Sequence, residues 1–396
     1  MDEKTIKMVN EARWADGLKV RNRLEEITYD PMHSQEDFVM RMIRENTKTD
    51  YGRNHGFEKI RNIDDFRRYI PLTTYDDYSA YIERIANGEK NVLTVYHTEH
   101  FSLLSGIKKL PQSRWSVQSA FDYSFSAGFY VAGSHGYLTD GMTLNLVDNS
   151  IELLASGMSV GSTLGRLLSK RGLEEDQIYV IPTSVANKSN RVDILYLQAL
   201  FALRQKDISL AICEYYDNLL ELLRYIEKHW PRLADDIENG TPYIQPDAPR
   251  ANEIREIMKT HHIGTQLVTQ FWPRLNCIIV YDVDRLSASF ELLRTYCGSK
   301  VHFIFSGISS PEGTFTTILN IDNPQTVLIP DSVFYEFEPK ENRSNNNLLT
   351  LDQLETGKSY ELIVTTFSGL YRYKTCMTFL VVGRYHDTPT VIVEKY

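Results

Sequence analysis

Tyr360-Glu361-Leu362-Ile363-Val364-Thr365-Thr366-Phe367-Ser368-Gly369-Leu370-Tyr371-Arg372-Tyr373 is the stretch from which this chain is best read. Its first half is β-branched and apolar, which suits a pleated strand, and Gly369 supplies a turn. Its second half crowds Tyr371, Arg372 and Tyr373 together. Local chemistry allows two readings. In one, the segment is a β-hairpin with a solvated arginine and half-buried tyrosines. In the other, the rings wall a pocket for a planar ligand while the guanidinium forks onto an anion.

Working outward, residues 315–319, 327–329, 333–337, 379–382 and 391–393 read as further strands, and 340–347 as a polar loop. Upstream, residues 277–281, 287–296 and 301–305 form a strand–helix–strand unit whose length predicts a parallel crossover. A strand is expected at 209–213, with helices at 192–204, 217–230 and 252–261. Shorter strands are expected at 92–95, 101–104, 143–147 and 178–182. The first part reads as helical, with the stretch Thr73-Thr74-Tyr75-Asp76-Asp77-Tyr78 capping a helix that stops at Asn87-Gly88. The segmentation expected is a helical segment at 1–95, an α/β core at 96–313 and a β-rich subdomain at 314–396.

The 396 residues are 42% hydrophobic and 24% charged, an ordinary globular composition with enough chain for two or three domains. A formal charge of -9 argues against a general nucleic-acid or anionic-membrane surface. No apolar run is long enough to span a bilayer, and Met1-Asp2-Glu3-Lys4 opens no signal-peptide pattern. Four scattered cysteines fit reduced thiols, so a cytoplasmic protein is expected. Metal binding is not expected: the adjacent His261-His262 cannot converge on one ion from one helix face.

Several segments together resemble the Gretchen Hagen group of auxin-responsive acyl-acid amido synthetases, within the adenylate-forming enzymes. They are Tyr51-Gly52 with His55-Gly56-Phe57, Ile70-Pro71-Leu72-Thr73-Thr74-Tyr75-Asp76-Asp77-Tyr78, Trp230-Pro231-Arg232-Leu233, Phe271-Trp272-Pro273, and above all Gly369-Leu370-Tyr371-Arg372-Tyr373. The resemblance spans nearly the whole chain. It implies the large N-terminal domain of the adenylate-forming fold, α/β sheets flanked by helices plus a β-rich subdomain. It also implies a chemistry: ATP and a carboxylic acid give an acyl-adenylate, from which an amine displaces AMP.

The demands of that chemistry are met unevenly. The family's phosphate loop corresponds to Leu104-Ser105-Gly106-Ile107-Lys108-Lys109-Leu110-Pro111, which is shorter and lacks the threonines and second glycine. Ser105, Gly106 and Lys108 are its residual candidates for cofactor binding, set against simple solvated turn lysines. The adenine and magnesium turn corresponds to Phe305-Ser306-Gly307-Ile308-Ser309-Ser310-Pro311-Glu312-Gly313, where Glu312 could anchor a polar group or cation and Ser309 and Ser310 could line the substrate. The ribose-binding aspartate corresponds to Met377, which cannot accept two hydrogen bonds from a diol. The family's C-terminal lid is not expected, since the chain stops near the hinge position at Val393-Glu394-Lys395-Tyr396.

The resulting expectation is a diverged amido synthetase-like protein with a degenerate ATP site. It would act on an acyl or carboxylate substrate and an amine, with ATP and magnesium only if the site is compensated. Arg372 is expected as an anion clamp, Tyr371 and Tyr373 as pocket walls. Two alternatives stay open: a non-catalytic binding or partner subunit, which a carrier protein or second chain would complete, and an intact ATP-dependent ligase. A further class comes from Gly157-Met158-Ser159-Val160-Gly161, which fits a hydrolase elbow if it joins a strand to a helix, with Asp193 and His229 available as partners.

Overall fold

The computed structural model describes residues 3–104, 106–148, 151–169, 177–182, 191–262, 265–281, 288–321, 325–341 and 348–395. These divide into two compact units, each assembled from separated pieces of chain. One comprises residues 1–17, 128–151 and 164–306, the other 18–127, 152–163 and 307–396. This partition differs from the three consecutive segments read from the sequence, because chain far apart in number pairs within one unit.

The first unit is built on four parallel strands in the order Met142–Asn145, Ile208–Cys213, Cys277–Val280, His302–Phe305. Leu210 lies opposite Cys277, and Cys277 opposite His302. The strand Cys277–Val280, the helix Ala288–Cys297 and the strand His302–Phe305 form the expected crossover. The strands Ile208–Cys213 and Cys277–Val280 are buried throughout, which explains their unbroken apolar character: a parallel sheet covered on both faces has no polar side to show. The helix Tyr216–Asn239 runs past its expected end, through Pro231. Its buried leucines 219, 220, 222 and 223 are joined by Leu233 and Ile237 beyond the proline, so burial of the outer turns outweighs the local penalty. The expected strand at 178–182 reduces to a single bridge between Tyr179 and Thr143.

The second unit holds the opening stretch. Its first half is the strand Ser359–Thr366, paired antiparallel with Val333–Pro339 on one side and Tyr373–Tyr385 on the other. Thr388–Lys395, Thr326–Leu328 and Thr316–Ile318 complete a six-stranded sheet. The β-rich C-terminal part is therefore as expected, while the polar run 342–347 lies outside the described residues. Helices Pro31–Asn46, Ile63–Tyr69 and Tyr75–Ala86 belong to the same unit. The last begins in a capping box between Thr74 and Asp77 and buries Tyr78, Ile82 and Ile85 at helical spacing. Residues 92–95 are not the strand expected of them. Val92 and Leu93 are buried, but the Val92 carbonyl accepts from Tyr51 N at 3.0 Å and Val95 N donates to Asn46 Oδ1 at 2.7 Å. These backbone groups are satisfied without a ladder.

Candidate functional site

The shortened phosphate-loop segment is a β-hairpin within the second unit. Strands Thr98–Leu104 and Lys108–Ser113 pair antiparallel to the last register, Leu104 opposite Lys108, so the chain reverses over three residues. Gly106 takes φ +74°, and Ile107 N donates back to the Leu104 carbonyl at 3.2 Å. Lys108 is exposed, with its ammonium 4.7 Å from the Tyr75 ring centroid. Ser105 lies outside the described residues. Among the described residues of the reversal Ile107 N is already committed to the Leu104 carbonyl, and a short reversal offers fewer N–H groups to a phosphate chain than a long loop does.

Beyond the hairpin, Ser113 caps the helix Arg114–Ala120. Ser116 Oγ lies 2.8 Å from Ser368 Oγ, which also accepts from Ser113 N at 3.1 Å. The decisive turn is thus docked by its serine onto the end of the hairpin. Gly369, at φ +88°, packs so closely that a Cβ would lie 2.7 Å from Leu93 Cβ.

Ser309, Ser310 and Glu312 do come together. Ser309–Ser310 pairs with Gly313–Thr314, leaving Pro311 and Glu312 as the turn. Glu312 is buried; its carboxylate accepts from Ser310 Oγ at 2.6 Å. Burial pushes this carboxyl above its usual range, partly offset by the Ser310 hydrogen bond. Ser309 Oγ lies 2.9 Å from Ser124 Oγ, and Gln112 Nε2 donates to the Pro311 carbonyl at 2.5 Å. Gln112 and Ser124 were missed by sequence reasoning, which had no local signal for them. Tyr373 is buried as well; desolvation, and then the nearby Glu312 carboxyl, raise its phenol. Serine hydroxyls, a buried carboxyl and a phenol can hold a polar substrate group.

Arg372 overturns both readings of the opening stretch, being neither solvated nor free to clamp a ligand carboxylate. It is buried at φ +51°. Nε and Nη2 donate to the two Glu336 oxygens at 2.8 and 2.9 Å, and Nη1 donates to the Arg67 and Ile70 carbonyls at 2.9 and 2.7 Å. The fork geometry that suits a ligand anion has been used on an internal one. Tyr371 is likewise core rather than pocket wall. Fully buried, it stacks on Tyr51 at 4.9 Å between centroids and donates to the Leu93 carbonyl at 3.1 Å.

Where the family resemblance places a ribose-binding carboxylate, the ladder slips. The register breaks between Glu361 and Ile363, Cys376 takes φ +63°, and Met377 is buried. At that position Met377 presents a buried thioether, which offers no acceptor pair to a diol. Ser159 sits in a strand, Ser159–Gly161, parallel to Thr98–Leu104. A serine within a ladder is not at a strand–helix elbow, so the hydrolase reading fails on geometry. His261 is committed to Glu227, 2.8 Å away, and no cluster of potential metal ligands occurs among the described residues.

Residues 20–302 match the GH3 family N-terminal domain, and residues 326–395 the GH3 family central domain. The indole-3-acetic acid-amido synthetase GH3.3 of Arabidopsis thaliana is 24% identical over 94% of this chain and 68% of its own length. The indole-3-acetic acid-amido synthetase GH3.8 of Oryza sativa subsp. indica is 25% identical over 92% of this chain and 66% of its own. Among solved structures, the GH3.15 acyl acid amido synthetase superposes with a TM-score of 0.80 at 21% identity, covering 93% of this chain and 69% of that one. A second structure of that enzyme, in complex with 2,4-DB, gives 0.81 at 20% identity, covering 95% and 70%. The mixed α/β fold with its β-rich C-terminal part is thereby placed, and the chain belongs to the GH3 family.

Proposed function

We propose that this chain is an amido synthetase-like protein that joins a small acyl group to an amine, taking the acyl group already activated rather than adenylating it. The class of chemistry is supported by family membership and by the amido synthetases among its relatives. The departure from adenylation is supported chiefly by one observation, the three-residue reversal between Leu104 and Lys108, with buried Met377 in accord. A thioester, on coenzyme A or a carrier protein, is the activated donor. The amine nitrogen attacks the thioester carbonyl, the C–N bond forms as the C–S bond breaks, and the proton lost by the amine ends on the departing thiolate.

In this reading Glu312 is the polar anchor, kept toward its neutral form by burial, with Ser309, Ser310 and Tyr373 as substrate contacts. Lys108 contributes only a diffuse attraction for anions, and no magnesium or nucleotide step is assigned to the chain. The test has two arms. Calorimetry with Mg·ATP, AMP and an acyl-adenylate analogue should give no binding at millimolar nucleotide, while acyl-thioesters mixed with amino acids should give amide without ATP. Micromolar ATP binding would overturn this reading in favour of an intact ATP-dependent ligase. No nucleotide binding together with no amide product would favour a binding or partner subunit.

A further inference from the structure

A groove of about 690 Å³ opens in the second unit beside the C-terminal end of the helix Ile63–Tyr69. Arg67, Arg68 and Arg372 line it, with Ile70, Leu72 and Leu348 as apolar wall. Its charges do not balance. Glu336 is the acid paired with both Arg67 and Arg372 among the described residues, so one carboxylate faces two guanidiniums. Both of its oxygens are occupied: Oε1 accepts from Arg67 Nε at 3.0 Å and from Arg372 Nη2, and Oε2 accepts from Arg372 Nε.

Arg67 Nη2 is buried and has no acceptor among the described residues. A buried donor without a partner is costly, and a charged one more so. Arg68 is largely exposed, with Asp65 no nearer than 3.8 Å. The helix end adds little negative potential, since Arg372 Nη1 already occupies the Arg67 and Ile70 carbonyls. A net positive rim, with one unmet donor buried at Arg67, therefore stands against an apolar wall in a space of the size small molecules occupy.

We propose that this groove binds a small organic anion, a carboxylate carried on an apolar body, with its oxygens at Arg67 and Arg68 and its body against Leu72 and Leu348. It shares no lining residue with the Glu312 cluster and does not depend on the function proposed above. Calorimetric titration with phenylacetate, its neutral isostere phenylacetamide, and inorganic phosphate tests it on the whole chain. Phenylacetate should bind saturably and at least tenfold more tightly than either comparison ligand. Arg68→Glu, at an exposed position where folding is not at stake, should weaken phenylacetate tenfold or more, and Arg67→Lys, which keeps the charge but removes the fork, should weaken it severalfold. Equal binding of the amide, equal binding of phosphate, or an Arg68→Glu titration like that of the unaltered chain would overturn the proposal.

Discussion

At Arg372 a residue type that advertises ligand binding has been turned inward. Removing it leaves the buried Glu336 carboxylate with Arg67 alone and two helix-end carbonyls without a donor. Breaking a buried ion pair from one side costs about 3–5 kcal/mol. Arg372→Ala should therefore lower unfolding stability by about that amount in a urea titration, with Arg372→Lys intermediate; a variant as stable as the original would return Arg372 to the list of ligand clamps. Glu312 makes a prediction of opposite sense. Its carboxyl is raised above the ordinary 4.5 by burial, so the folded state holds the proton more tightly than the unfolded one. The stability associated with it is full below that ordinary value and is lost as pH rises through the folded value. Glu312→Gln should consequently be more stable than the original protein at pH 7, with the gap closing toward pH 4. Thermal unfolding across that range checks the sign. None of this was legible locally: the tripeptide at 371–373 reads the same whether an acid awaits it in the core or in a ligand.

Among the elements, two turns separate conformational from steric demand. Gly106 closes its hairpin at φ +74° with nothing within 4 Å of a would-be Cβ. Gly106→Ala should cost about 1 kcal/mol, from the left-handed backbone alone. Gly307, at φ +133°, precedes the Ser309–Ser310 strand, and a Cβ there would meet the Thr316 carbonyl oxygen at 2.2 Å. Gly307→Ala should cost about 3 kcal/mol or more, because backbone rather than a flexible side chain must yield. Equal destabilisation of the two variants in denaturant would contradict this division. Elements with a strong local signal were readable in advance. The capping box at Thr74 and Asp77, the buried strands 209–213 and 277–280, and the sheet strands near the C-terminus all announce themselves by spacing and composition. Residues 92–95 failed because an apolar run says that side chains are buried, not where the backbone finds its partners.

For the molecule as a whole, the four cysteines report how completely the chain is packed. Cys213, Cys277 and Cys297 are buried, while Cys376 is exposed. Burial raises the Cys277 thiol strongly and brings Cys297 up to about 12, so neither supplies thiolate at neutral pH. A thiol reagent should modify one cysteine promptly in the native protein and four after unfolding; a second prompt reaction would show that a unit opens more readily than its packing allows. No helix among the described residues is long and apolar enough to cross a membrane.

What the sequence determined by itself was the class and order of the elements: an α/β arrangement with a parallel crossover, capped helices and a β-rich C-terminal part. These follow from hydrophobic period, capping residues and turn chemistry, which act over a few positions. Only the tertiary structure decided the fate of the polar groups. It gave Arg372 the carboxylate of Glu336 and carbonyls from residues 67 and 70, gathered Gln112 and Ser124 around Ser309 to Glu312, and left Arg67 with a donor unmet among the described residues. The physical reason is range. A strand is specified by its own side chains, but a buried charge is settled by whichever partners the fold brings to it: for Arg372 an acid 36 positions away and carbonyls 302 and 305 positions away along the chain.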